Sequence, residues 1–123
     1  MKRKPTDRKK LEKELDKLFS QAVIARDGKC KVSGSDERLT VHHIRSRRHS
    51  ITRCNLDNGI CLSWKVHSLQ KFNPELFHDK IIECIGQKKY DRLKKLSNMT
   101  YKFSLEELLR IKEQLQGVIN EHN

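Results

Sequence analysis

The chain has 123 residues, enough for one modest domain and too few for two independently stable ones. Charged residues make up 35% of it and hydrophobic residues another 35%, with mean hydropathy -0.82, so the core must be thin, and no stretch approaches transmembrane length. A net charge of +11 and a pI near 9.7 point to polyanionic partners, with nucleic acid first among them.

In chain order, Met1 to Pro5 is a short basic start expected to fray. A helix is expected over about 6–26: Thr6 or Asp7 can cap it, and Leu11, Leu15, Leu18, Phe19, Ala22 and Val23 recur on one face. Asp27-Gly28 stops it, and CKVSGSDERLT reads as a tight loop. Leu39-Thr40-Val41 has the β-branched character of a short strand. After it comes a long irregular segment from Arg45 to Asn58. Between Arg38 and Leu56 the chain carries five arginines and no acidic residue, and a loop of this length and composition favours function. Asp57-Asn58-Gly59 signals a turn into a second short strand, Gly59 to Leu62, and Ser63 can cap a helix through Lys71. Asn73-Pro74 opens a helix that ends before Gly86, residues 87–97 read as helical again, and Ser104-Leu-Glu-Glu107 is a capping box for a last helix with Leu105, Leu108, Leu109, Leu115, Val118 and Ile119 on its apolar stripe. The expected fold class is α+β in a single domain, residues 1–123. Two short strands, a basic loop and a helix form its centre (about 37–72), flanked by the N-terminal helix and by C-terminal helices over about 74–120.

There are four cysteines, Cys30, Cys54, Cys61 and Cys84, and no apolar run of a secretory signal follows the basic start. Reduced, mostly buried thiols in a cytoplasmic protein are therefore expected. Cys54, Cys61 and His67 lack the close pair usual in structural zinc sites. Trp64 is expected in the core.

The chemistry concentrates in VHHIRSRRHSITRCNLDNGICLSWKVHSL. A neutral imidazole can accept a proton from water near pH 7, and imidazoles also ligate divalent metals. Regular strand geometry would send His42 and His43 to opposite faces. A bend of the strand into the loop at His43 is the expectation that lets both serve one site.

The order His42-His43, then Asn58, then His67, with Asn58 nine residues before His67, resembles that of the HNH nucleases, whose site is a ββα-metal finger. The resemblance implies that His42 and His67 hold one divalent metal ion, that His43 is the general base, and that Asn58 braces the loop and orients that base. It implies Mg²⁺ or Mn²⁺, with Ni²⁺ and Zn²⁺ also suited to histidine ligands. Arg45, Arg47, Arg48 and Arg53 would then meet DNA phosphates, a match to the fork of the guanidinium.

HHIRSRRHSITRCNLDNG is further similar to a segment of the phage NinG/Rap recombination endonucleases, as are KLFSQAVIARDGKCKVSG upstream and IGQKKYDRLKK and FSLEELLRIKEQL downstream. This likeness implies metal-dependent cleavage of branched intermediates such as Holliday junctions and D-loops in the cytoplasm of a bacterial host, with a homodimer accounting for opposed nicks. The chain departs from that family in having His42 where Gly is usual and Val66-His67 where Cys-Asn is usual. The two Cys-x-x-Cys knuckles of many HNH modules are reduced to Cys30-Lys-Val-Ser33 and to Ser63 and Val66, so no structural zinc is expected. Three alternatives stay open: a less selective nicking or phage-packaging nuclease, a noncatalytic DNA-binding module, and an RNA-binding protein, the last disfavoured by an aromatic content of 6%.

Overall fold

A computed structural model describes residues 6–122; the basic start, Met1 to Pro5, lies outside them. Helix α1 (Asp7–Asp27) is followed by strand β1 (Leu39–His43), a single 3₁₀ turn (Leu56–Asn58), strand β2 (Gly59–Ser63) and four helices: α2 (Trp64–Phe72), α3 (Pro74–Ile85), α4 (Gln87–Ser97) and α5 (Leu105–Glu121). The fold is α+β, with five helices and one two-stranded antiparallel sheet among the described residues. No helix among the described residues is long and apolar enough to cross a membrane.

The helix ends follow the local chemistry. Thr6 Oγ1 accepts from the Lys9 amide at 3.2 Å, and Gly28 closes α1 in the left-handed region at φ 71°. Ser63, the last residue of β2, caps α2, so strand and helix follow without a linker. Asn73 caps α3 with Pro74 in its first turn, and Ser104 and Glu107 form both bonds of a capping box on α5.

The two faces of the hairpin bury different clusters. Leu39 pairs with Ser63, Val41 with Cys61 and His43 with Gly59, alternating with Thr40–Leu62 and His42–Ile60. One face carries Cys61 against Leu15, Phe19, Ala22 and Val23 of α1 and Leu108 and Leu115 of α5. The opposite face packs Ile60 and Leu62 on Cys30 and on Phe77 and Ile81 of α3. Burying each large apolar side chain here contributes about 1.5–3 kcal/mol. Helix α1 is also laced to β2 through polar groups: Arg26 donates to the Leu56 and Gly59 carbonyls, both at 2.8 Å, and Asp27 accepts from the Cys61 amide at 3.0 Å.

Two packing expectations need correction. Leu105 and Leu109 are 47% and 48% exposed, and Ile111 packs on the core with Leu108 and Leu115 instead. Trp64 is 43% exposed with the Arg38 guanidinium over its ring, because β2 delivers it to the first, outward turn of α2. All four cysteines are free; Cys30 and Cys61 are buried, Cys54 and Cys84 half-buried.

Candidate active site

Residues two apart on a strand share a face, so Thr40 and His42 lie together on the α2/α3 side of β1. There the ring of His67, from the first turns of α2, meets His42 edge to face with centroids 5.3 Å apart. Phe77 of α3 backs both rings, at 4.9 Å from His42 and 6.3 Å from His67. The Thr40 hydroxyl donates to the Leu62 carbonyl at 2.9 Å, and its oxygen sits 2.8 Å from His67 Nδ1. If the hydroxyl hydrogen stays on Leu62, Nδ1 of His67 carries the ring proton and Nε2 keeps its lone pair.

Both rings are held neutral. Burial, aided by the charges of His67 and His43, pushes the pKa of His42 down to about 4. Burial also lowers that of His67. Neutral imidazole is the form that binds metal. With metal–nitrogen bonds of about 2.0–2.1 Å, two imidazoles meeting at one ion have ring centres about 5 Å apart, and the His42–His67 separation fits this pair. Among the described residues no group of three or more His, Cys, Asp or Glu side chains converges.

The bend expected at His43 is absent. Strand β1 stays paired through His43–Gly59, so His43 points to the other face, where its ring stacks on Phe19 with centroids 4.7 Å apart. That stacking depends on Gly59, whose missing side chain leaves the room: a Cβ there would lie 2.6 Å from both Phe19 Cζ and Val23 Cγ2. His43 Nε2 is buried with no hydrogen-bond partner among the described residues. Burial and the nearby Arg47 charge lower its pKa, against opposing effects of the Arg53 backbone and Asp16.

Asn58 is fully buried at the start of β2. Its Oδ1 accepts from the Arg45 amide at 2.7 Å, its Nδ2 donates to the Arg45 carbonyl at 3.0 Å, and its own carbonyl accepts from the Ile44 amide at 2.8 Å. The side chain thus satisfies both backbone groups of the residue that leaves β1. The nearby Asn55 acts elsewhere, capping the 3₁₀ turn through the Asp57 amide.

The four arginines occupy unlike positions. Arg53 forks onto Asp16 of α1, Nε to Oδ1 at 2.8 Å and Nη2 to Oδ2 at 2.6 Å. Arg45 reaches α4, where it donates to Ser97 Oγ at 3.0 Å and Tyr90 Oη at 3.4 Å. Arg47 is exposed, with one loose contact to Asp16 at 3.7 Å, and Arg48 is also exposed. The two exposed guanidiniums are thus available to phosphate, while the other two fix the loop that carries them.

Comparison with protein-family models, curated proteins and solved structures found no match. The site therefore stands on its own geometry. Four of its members were not singled out in the sequence: Thr40, Phe77, Asp16 and Tyr90. Thr40 had one available signal, since it lies two residues before His42 and so shares its face. Asp16 and Tyr90 reach the loop only through tertiary packing, and no local spacing announces them.

Proposed function

We propose that the chain is a metal-dependent endonuclease of the HNH, ββα-metal type that hydrolyses DNA phosphodiester bonds. The observation that carries this reading is the His42–His67 pair, two neutral imidazoles 5.3 Å apart with the tautomer of one set by Thr40, beside a loop presenting Arg47 and Arg48. His42 and His67 would hold the divalent ion, Mg²⁺ or Mn²⁺ first. Such an ion, when bound, stabilises negative charge at phosphorus and on the departing oxygen. His43 would be the general base that takes the proton of the attacking water on Nε2, a step that requires this buried nitrogen to open to water. Phe19 fixes the plane of that ring, and Asn58 fixes the backbone immediately after it. Arg47 supplies the strongest nearby positive charge at His43 and binds the phosphate.

Because His43 and His42 leave opposite faces of β1, the phosphodiester is accommodated across the end of the strand, where the Arg45–Arg48 loop departs. Branched recombination intermediates are the proposed substrates, on the sequence resemblance; a nicking or packaging nuclease of lower selectivity is the neighbouring alternative. Supercoiled-plasmid nicking with and without EDTA tests the activity. Loss of nicking in His43→Ala, by about 10²–10⁴-fold with the fold retained, is the expected result for a general base, and undiminished cleavage would remove His43 from the mechanism. Equal rates on a four-way junction and a linear duplex would remove the branched-substrate reading.

A second reading, a noncatalytic DNA-binding module, is favoured by the placement of His43 away from the His42–His67 pair. It predicts salt-dependent DNA binding without scission under any divalent metal.

A further inference from the structure

Of the described helices, α4 carries the largest net positive charge. Its 11 residues, QKKYDRLKKLS, hold five cations against one carboxylate. Tyr90, Leu93, Leu96 and Ser97 turn toward the protein, while Lys88, Arg92, Lys94 and Lys95 are exposed. Asp91, the carboxylate of α4, accepts from Gln87 at 2.9 Å, and Asp57 lies 3.8 Å from Lys89. Among the described residues none of Lys88, Arg92, Lys94 and Lys95 forms an ion pair.

This helix is joined to the candidate site at two places. Arg45, two residues beyond His43, is bonded to Ser97 and Tyr90. Tyr90 and His42 also line one cavity of about 200 Å³, together with Ile44, Phe77 and His78. A polyanion lying across the end of β1 therefore continues onto α4 without a change of sign.

We infer that α4 is a second backbone-binding surface, which holds the duplex DNA flanking the bond at the His42–His43 site; the inference rests on the proposed nuclease reading and extends it. Lys88, Arg92 and Lys95 stand at i, i+4 and i+7 on one exposed face. They span about 10 Å of helix, which matches about three phosphates of one strand at 3.4 Å of axial rise each. A lipid surface fits less well, because membrane-surface helices need an apolar face to insert. The large exposed apolar residues, Trp64, Phe72, Leu76, Met99, Tyr101, Leu105 and Leu109, all lie outside α4.

The test is binding of a fluorescein-labelled linear duplex in EDTA over a salt series, by anisotropy. It compares wild type with K88Q/R92Q/K95Q and with a control of equal charge change, K29Q/K31Q/K65Q. Both sets lie on exposed positions, and circular dichroism checks that each variant is folded. The α4 variant should flatten the slope of log K against log salt by about 2–3, and the control should change it much less. Equal effects of the two triples would reduce α4 to one part of a general positive charge and overturn the inference, as would an unchanged slope. Capture of wild type, but not of the α4 variant, by phosphatidylserine vesicles with duplex binding unaltered would overturn it in favour of a membrane. If wild type binds through α4 but never nicks plasmid, the nuclease reading falls and the α4 surface stands. Nicking with no α4 effect has the reverse meaning.

Discussion

Thr40 Oγ1 lies 2.8 Å from Nδ1 of His67, across 27 residues of sequence, and donates its own hydrogen to the carbonyl of Leu62. A metal-ligating histidine needs its second nitrogen held in this way, and loss of such a partner typically costs 10–100-fold in affinity. Thr40→Val should therefore weaken binding of Mn²⁺ about 10–100-fold by calorimetry, whereas Thr40→Ser should keep most of it. The imidazole ¹⁵N shifts of His67 in the metal-free protein should show an Nδ1–H tautomer in wild type and a mixture in the valine variant. Identical spectra and affinities in all three proteins would sink the assignment.

Asn58→Ala removes the side-chain partner of both backbone groups of Arg45 and leaves these part-buried groups beside a vacated volume. A cost of about 2–4 kcal/mol in urea denaturation is expected. Asn58→Asp should be nearly as damaging, since a carboxylate cannot donate to the Arg45 carbonyl. A loss below about 0.5 kcal/mol, the range of ordinary surface substitutions, would mean that the loop is held elsewhere.

Acid should weaken the metal-free protein well above the carboxylate range. In the fold, burial holds the pKa of His42 at about 4, against 6.5 for the free side chain. The unfolded chain thus takes up a proton that the native state refuses. The stability contributed by the neutral ring is fully present above pH 6.5, falls as pH drops from 6.5 toward 4, and levels below that. The total is on the order of 3 kcal/mol, and His43 and His67, shifted the same way, steepen it. Denaturation midpoints measured at successive pH values should fall through this window in EDTA, and His42→Gln should flatten the curve.

Gly59→Ala tests the support beneath His43. Its Cβ would press on Phe19 and Val23 at 2.6 Å. Phe19 is fully buried and has no room to retreat without shifting α1. A destabilisation of about 1–3 kcal/mol is expected, as for other overpacked cores, with nicking impaired in the fraction that remains folded. Wild-type stability would show that the contact relaxes easily.

Asp16→Asn should do the opposite to binding. It removes the negative charge that holds the fork of Arg53 and the loose contact of Arg47, leaving Arg53 a 3.7 Å contact to Glu12. DNA affinity at low salt should rise and the salt slope should steepen by about 1, while stability falls by about 1 kcal/mol for a partly exposed pair. Unchanged affinity would mean that Arg53 does not reach the DNA even without the Asp16 charge.

Much of the frame was legible because helix ends are local chemistry. Thr6, Gly28, Ser63, Asn73 with Pro74, and Ser104 with Glu107 mark boundaries that need no tertiary information. The α1 stripe was legible for the same reason. The α5 stripe was only half so, because periodicity cannot tell which edge of a wide stripe meets the neighbour, and Leu105 and Leu109 were left outside. At the site, spacing alone distinguished Asn58 from Asn55, and the two asparagines do hold different parts of the backbone. The facing of His42 and His67 required the hairpin to set α2 over β1. The strand rule that separates His42 from His43 held, and the expectation of a bend did not, because Gly59 lets β1 stay paired to its last residue. The fates of Arg45 and Arg53 were decided by Ser97, Tyr90 and Asp16, far away in sequence.

Those two arginines have a further consequence. The segment bearing Arg47 and Arg48 is tied down at one end by Asn58 and by the grip of Arg45 on α4, and at the other by the grip of Arg53 on α1. Its conformational freedom is surrendered when the protein folds rather than when a ligand arrives. An anion meeting Arg47 and Arg48 thus finds a clamp already set, with little ordering of the loop left to oppose binding.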